Sequence, residues 1–238
     1  MTVTPSSEPN PFAPPGGDAD APGPRPPPVA AGYRDQRGVV RLLTALLIAH
    51  AALLMTDVVW SLLDRSSLVD PQVLREMLRL LHRIGILPVF MTLAIAVPFA
   101  VFLARANRNA RRFGEEFLVF SPLSMVWWYF VPVLNLVMPY RAVREVWRAS
   151  RPTEGQPTGD SPGVLIWWWT TLLTYQLALP ASGLAVFVIQ GWVSPGAGIA
   201  LKNNLFLLRS ALCVTRDLAA LMMVRALHER QRRRATAP

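Results

Sequence analysis

The chain is poor in the residues from which most active sites are assembled. It has one cysteine, Cys213, in 238 residues, which excludes an internal disulfide and any cysteine-based metal cluster. Its three histidines, His50, His82 and His228, lie far apart in different settings. There is no Gly-x-Ser-x-Gly elbow, no His-Glu-x-x-His helix and no glycine loop shaped for a phosphate. The expectation is therefore no enzyme, no catalytic residue, no metal and no cofactor. Lysine is almost missing too: of 24 basic residues only Lys202 is lysine, a bias of the kind a GC-rich genome imposes. Charge of either sign is scarce, at 16% of residues against 52% hydrophobic.

The net charge of +9 does not read as nucleic-acid binding. No basic, aromatic-interleaved soluble domain is present, and the arginines cluster at the ends of long apolar runs, where they would meet lipid headgroups. That alternation predicts an all-α fold: a polytopic integral membrane helical bundle behind a disordered, proline-rich head. Residues 1–32 hold ten prolines and four glycines, and the whole 1–38 segment reads as a cytoplasmic tether without a signal-peptide core.

The membrane domain is expected over 39–229, followed by a basic tail at 230–238. Its first apolar run is 39–63. Asp70 and Pro71 then suit the start of an amphipathic interfacial helix over 71–83. The second run, 84–104, contains Pro88 and Pro98 and discharges into a basic exit at Arg105, Arg108, Arg111 and Arg112. The third, 117–140, is broken at Pro132 and leads into an amphipathic helix over 140–151. The fourth, 164–190, is uncharged and bracketed by Trp167, Trp168, Trp169 and Trp192, matching two aromatic belts. The last, 199–226, carries Lys202, Arg209, Arg216 and Asp217.

If all five runs crossed fully, one basic exit would face outside. A re-entrant or broken 117–140 instead puts both exits, the N-terminal arginines and the C-terminal arginines on one face. The positive-inside rule favours that layout, with both termini cytoplasmic in a plasma membrane.

Charges within apolar runs mark the candidate sites. His50 and Asp57 are seven residues apart, so they share one helical face, as do Lys202, Arg209 and Arg216. Depth matching predicts an Asp57–Arg209 ion pair, with Arg216 and Asp217 neutralised locally or by snorkelling. The cluster reads either as helix pairing or as a proton or anion path.

Three ordered stretches carry a resemblance: "RANRNARRFG", "FSPLSMVWWYFVPVLNLVMPY" and "RAVREVWRAS". Together they resemble the bacterial membrane family known as domain of unknown function 4328. The matching positions are Arg105 and Asn109, the Ser121–Pro122 start, then Trp128, Pro132, Asn135 and Leu136, and finally Pro139, Tyr140, Glu145 and Trp147. The resemblance implies a multi-pass membrane protein and supplies no activity. On physical grounds the stretch is either a structural elbow or a cytoplasm-facing pocket formed by Arg105, Asn109, Asn135 and Tyr140.

The functional expectation is a non-enzymatic interaction or assembly module; the alternative is an oligomeric channel or transporter using His50, Asp57 and Arg209. The expected partners are the bilayer, with anionic headgroups against the arginines, and a membrane protein or a second copy.

Overall fold

The structure is a computed structural model that describes residues 32–65, 86–114, 118–151, 163–189, 191–192 and 194–236, together with Val73. The described residues contain helices and turns and no strand. The expected tail over 1–31 and the expected helix over 71–83 lie outside them, apart from Val73, which is helical.

Helix α1 spans Arg37–Arg65 and α2 spans Ile86–Arg112. The Asp35 carboxylate caps α1 by accepting from the Arg37 N–H at 3.0 Å. At the other end of α2, Arg111 and Arg112 complement the helix dipole. Gly114, at φ 88°, then takes the left-handed conformation that closes a helix without a Cβ clash. The uncharged α5 covers Gly163–Ile189. Helix α6 runs over Pro195–Thr236, 42 residues, or about 63 Å. It continues straight through the expected boundary at residue 230, because Arg230, Gln231 and Arg234 are held by bonds to other helices.

Among the described residues three helices are long and apolar enough to cross a membrane: α1 over Arg37–Thr56, α2 over Phe90–Arg112, and α5. Helix α6 packs against α1 on one side and α5 on the other, and α1 also packs on α2.

Between α2 and α5 the chain makes no continuous helix. The single turn α3, Ser124–Trp127, starts where the Ser121 hydroxyl accepts from the Ser124 N–H at 3.1 Å. Pro132 has no N–H to continue it. Val133 follows at φ 64° and ψ −50°, and the Leu134 N–H reaches back to the Pro132 carbonyl at 2.7 Å, closing a γ-turn. A short 3₁₀ turn, Leu134–Leu136, then leads into α4, Met138–Ala149, with Pro139 in its first turn.

Helix α4 buries Ala142, Val143, Val146 and Trp147 against the bundle and exposes Arg141, Arg144 and Arg148. The core is concentrated at this arginine-rich end, where Phe102, Leu103, Val143, Trp168 and Leu227 are all within a few per cent of full burial. Far from it, Leu184, Phe187 and Ile199 are exposed.

Candidate functional site

Four buried polar side chains from four elements meet at the arginine-rich end. Gln36, just before α1, donates from Nε2 to Gln231 Oε1 of α6 at 3.0 Å. Gln231 Nε2 in turn donates to the Ala106 carbonyl of α2 at 2.8 Å and to Ser150 Oγ, beyond α4, at 3.0 Å. Asn109 of α2 brackets the Arg34 backbone, accepting its N–H at 3.1 Å and donating to its carbonyl at 3.0 Å. Gln36, Asn109, Ser150 and Gln231 are each 1% exposed or less. Amides are rewarded there because each can both donate and accept; of these four side chains only Gln36 leaves a buried atom, Oε1, without a partner. The clasp brings the start of α1 and the ends of α2, α4 and α6 to one end of the bundle.

Arginines reinforce it. Arg230 donates to the Trp147 carbonyl at 3.0 Å and lies 4.9 Å from that indole. Arg234 donates to the carbonyls of Phe113 and Ala149 and covers the Phe113 ring.

A second cluster sits along the α1–α6 interface. His50 Nδ1 is 2.6 Å from Asp217 Oδ2, and both residues are buried. Arg216 donates to the other oxygen, Oδ1, from Nε at 3.1 Å and from a terminal nitrogen at 2.7 Å. Its guanidinium also lies 4.4 Å from the Tyr175 ring centroid. An ionised carboxylate only accepts, so opposite an ionised Asp217 it is the His50 tautomer carrying a proton on Nδ1 that makes this bond. Gln36 pairs with Gln231 and His50 with Asp217, so fourteen residues separate the pairs on both helices. The register is antiparallel and constant. His50, Cys213 and Asp217 offer nitrogen, sulfur and oxygen within 4.8 Å of one another. Both carboxylate oxygens are already engaged, so a cation would compete with Arg216 and His50, and the set acts as an ion-pair cluster.

Arg216 and Asp217 form the polar wall of a cavity of about 240 Å³ otherwise lined by residues such as Leu47, Phe99, Trp168 and Leu172. Tyr129 also lines it, with a buried hydroxyl that has no hydrogen-bond partner. Of the residues expected at this depth, the Asp57 side chain lies outside the described residues, and the expected Asp57–Arg209 pair with it. Arg209 is exposed in the crevice between α5 and α6, 5.9 Å from the Phe206 ring.

The motif residues are distributed as follows. Glu145 accepts the backbone N–H groups of Val119 and Phe120 at 2.6 and 3.1 Å, tying the connecting segment to α4. Tyr140 packs on Trp169 at 5.8 Å, and Pro139 and Trp147 are buried. Trp128 has a buried Nε1–H with no partner. Asn135 is half-buried while Pro132 and Arg105 are exposed. Asn109 is committed to the clasp.

Beside α4 lies an open groove of about 770 Å³, lined by Arg141, Arg144, Arg148 and Arg151 with Leu118 and Phe120 on its other wall.

Residues 65–229 match the family described as "Domain of unknown function (DUF4328)". The chain belongs to this family. No curated protein and no solved structure matches it. The DUF4328 region begins at the end of α1 and ends within α6. It therefore holds Arg216, Asp217, Asn109 and the whole α4 groove. His50, Gln36 and Gln231 lie outside it, so both buried clusters join DUF4328 residues to flanking ones.

Gln36, Ser150, Gln231 and the pairing of Asp217 with His50 escaped sequence reasoning. The available signal was a polar residue flanking an apolar run for Gln36 and Gln231 and one ending an amphipathic helix for Ser150, positions too common to single out.

Proposed function

We propose that the protein is a multi-pass component of the bacterial plasma membrane, with both termini cytoplasmic, and that it acts as a non-enzymatic interaction and assembly module. The observation that carries this reading is the clasp: four elements meet at one arginine-rich end, and its polar groups, the Gln36 Oε1 apart, are spent on bonds within the chain. Buried polar groups used in this way hold helices in register. With α1, α2, α5 and α6 crossing and residues 118–137 re-entrant, the arginine-rich exits share one side, as the positive-inside rule favours; the length and apolarity of α1, α2 and α5 support three of those crossings.

In a Cys213→Ser background, Asp70→Cys and Gly155→Cys are expected to label from opposite sides of the membrane; labelling from the same side overturns the topology. Affinity purification from native membranes is expected to recover a stable membrane-protein partner or a homo-oligomer. Recovery of a lone monomer that conducts a solute overturns the assembly role.

A second reading, an oligomeric channel or transporter, is supported by the His50–Asp217–Arg216 cluster at the wall of a cavity. Its mark is flux in proteoliposomes that Asp217→Asn abolishes while the fold is retained.

A further inference from the structure

We infer that the groove beside α4 binds the headgroup of an anionic lipid carrying two phosphate groups. The inference rests on the membrane reading above and names a partner for it.

The groove is lined by four arginines and one glutamate. That glutamate, Glu145, has both oxygens turned to the backbone N–H groups of Val119 and Phe120. Among the described residues none of the guanidiniums of Arg141, Arg144, Arg148 and Arg151 has a hydrogen bond or ion pair. Elsewhere at this end Arg230 and Arg234 bind carbonyls and Arg232 and Arg233 bind Glu229, while the exposed Arg105 and Arg108 do not line the groove. Four unpartnered guanidiniums around one concavity leave a surplus of positive charge with a planar, bidentate geometry that suits phosphate oxygens.

Spacing argues for two phosphates. Positions 141, 144 and 148 stay on one helical face, and Arg141 and Arg148 are about 10 Å apart along the axis. Arg151 extends the row beyond the helix end. One phosphate cannot accept two-pronged contacts from a row of that length, whereas two linked phosphates can each take a pair of arginines.

The surroundings argue for a lipid over a soluble anion. The connecting segment whose start forms the far wall of the groove exposes Val119, Leu123, Trp127, Phe130 and Val133, each at least 63% accessible. It ends at Val137, four residues before Arg141. A headgroup in the groove would therefore have an apolar edge beside it on which acyl chains can lie.

The test uses the full-length chain, purified in a non-ionic detergent and titrated with diphosphatidylglycerol or with phosphatidylglycerol at equal phosphate concentration. Binding is read by native mass spectrometry. Diphosphatidylglycerol is expected to bind about thirtyfold more tightly, from two further arginine contacts. Arg144→Gln with Arg148→Gln is expected to erase that preference. Arg144→Lys with Arg148→Lys keeps the charge but loses the fork, and is expected to bind with intermediate affinity.

Equal affinity for the two lipids, or a preference unchanged in the glutamine variant, overturns the inference. Displacement of the lipid by inorganic diphosphate at matching concentration assigns the groove to a soluble anion and likewise overturns it. The cell lysates from which the protein is purified are fractionated by ultracentrifugation before detergent is added. Wild type in the membrane pellet without a lipid preference refutes only the inference; wild type folded in the aqueous supernatant refutes the membrane reading itself.

Discussion

Removing the Asp217 carboxylate tests the energetic logic of the bundle most directly. Asp217 is 2% exposed and accepts from both nitrogens of the Arg216 fork and from His50. Asp217→Ala leaves an arginine in an apolar helix interface with no counter-charge and a histidine N–H with no acceptor. Breaking a buried pair from one side costs about 3–5 kcal/mol. For a chain of this size that is a fall in thermal midpoint of roughly 6–20 °C. The chain carries its own reporter: Cys213, its single cysteine, is buried one turn from Asp217. A thiol-reactive fluorophore added to detergent-solubilised protein therefore reads opening of this interface on heating. A second variant, Arg216→Leu with Asp217→Leu, removes both charges and is expected to recover at least half of the loss, since no unpaired charge remains and only the His50 N–H is left without an acceptor. A loss below about 1 kcal/mol for Asp217→Ala, or a double variant as unstable as the single one, refutes the account.

Gln231→Leu removes the hub of the clasp and strands Gln36, Ser150 and the Ala106 carbonyl, with an expected loss of about 2–4 kcal/mol by the same thiol assay. Glu145→Gln turns an amide N–H₂ towards backbone donors; amide exchange at Val119 and Phe120 is expected to rise about 5–30-fold. Val133 holds a left-handed γ-turn while 76% exposed, so Val133→Gly is expected to stabilise by about 1 kcal/mol through relief of strain, measured as a raised midpoint. Burial lowers the pKa of His228 from its usual 6.5, and its Nδ1 is buried without a partner. The folded state thus binds fewer protons than the unfolded one just below that value, so stability falls as pH drops through it. His228→Gln is expected to flatten the dependence of the thermal midpoint on pH across this window.

The long apolar helices, the break around Pro132 and the basic face of α4 follow from hydropathy and proline chemistry, both of which are local. Pro132 lacks an N–H wherever it sits, and Arg141, Arg144 and Arg148 share a face by helical period alone. The partner of His50 is a different kind of question. Asp217 lies beside Arg216 in the sequence, which accounts for its charge without reference to α1. Its meeting with His50 depends on the antiparallel register of α1 and α6, set by packing across 167 residues. Gln231 sits among arginines that all suggest solvent, yet it is fully buried. Its environment is decided by α2 and α4 arriving from elsewhere in the chain.

The distance between partners also orders events during synthesis. Gln36 lies 195 residues upstream of Gln231, and His50 emerges long before Asp217. Helix α1 must therefore wait with an unmatched imidazole until Asp217, 167 residues downstream, has left the ribosome. The bundle is sealed by α6, so a chain terminated ahead of that helix exposes its defect at the very interface that completes the fold.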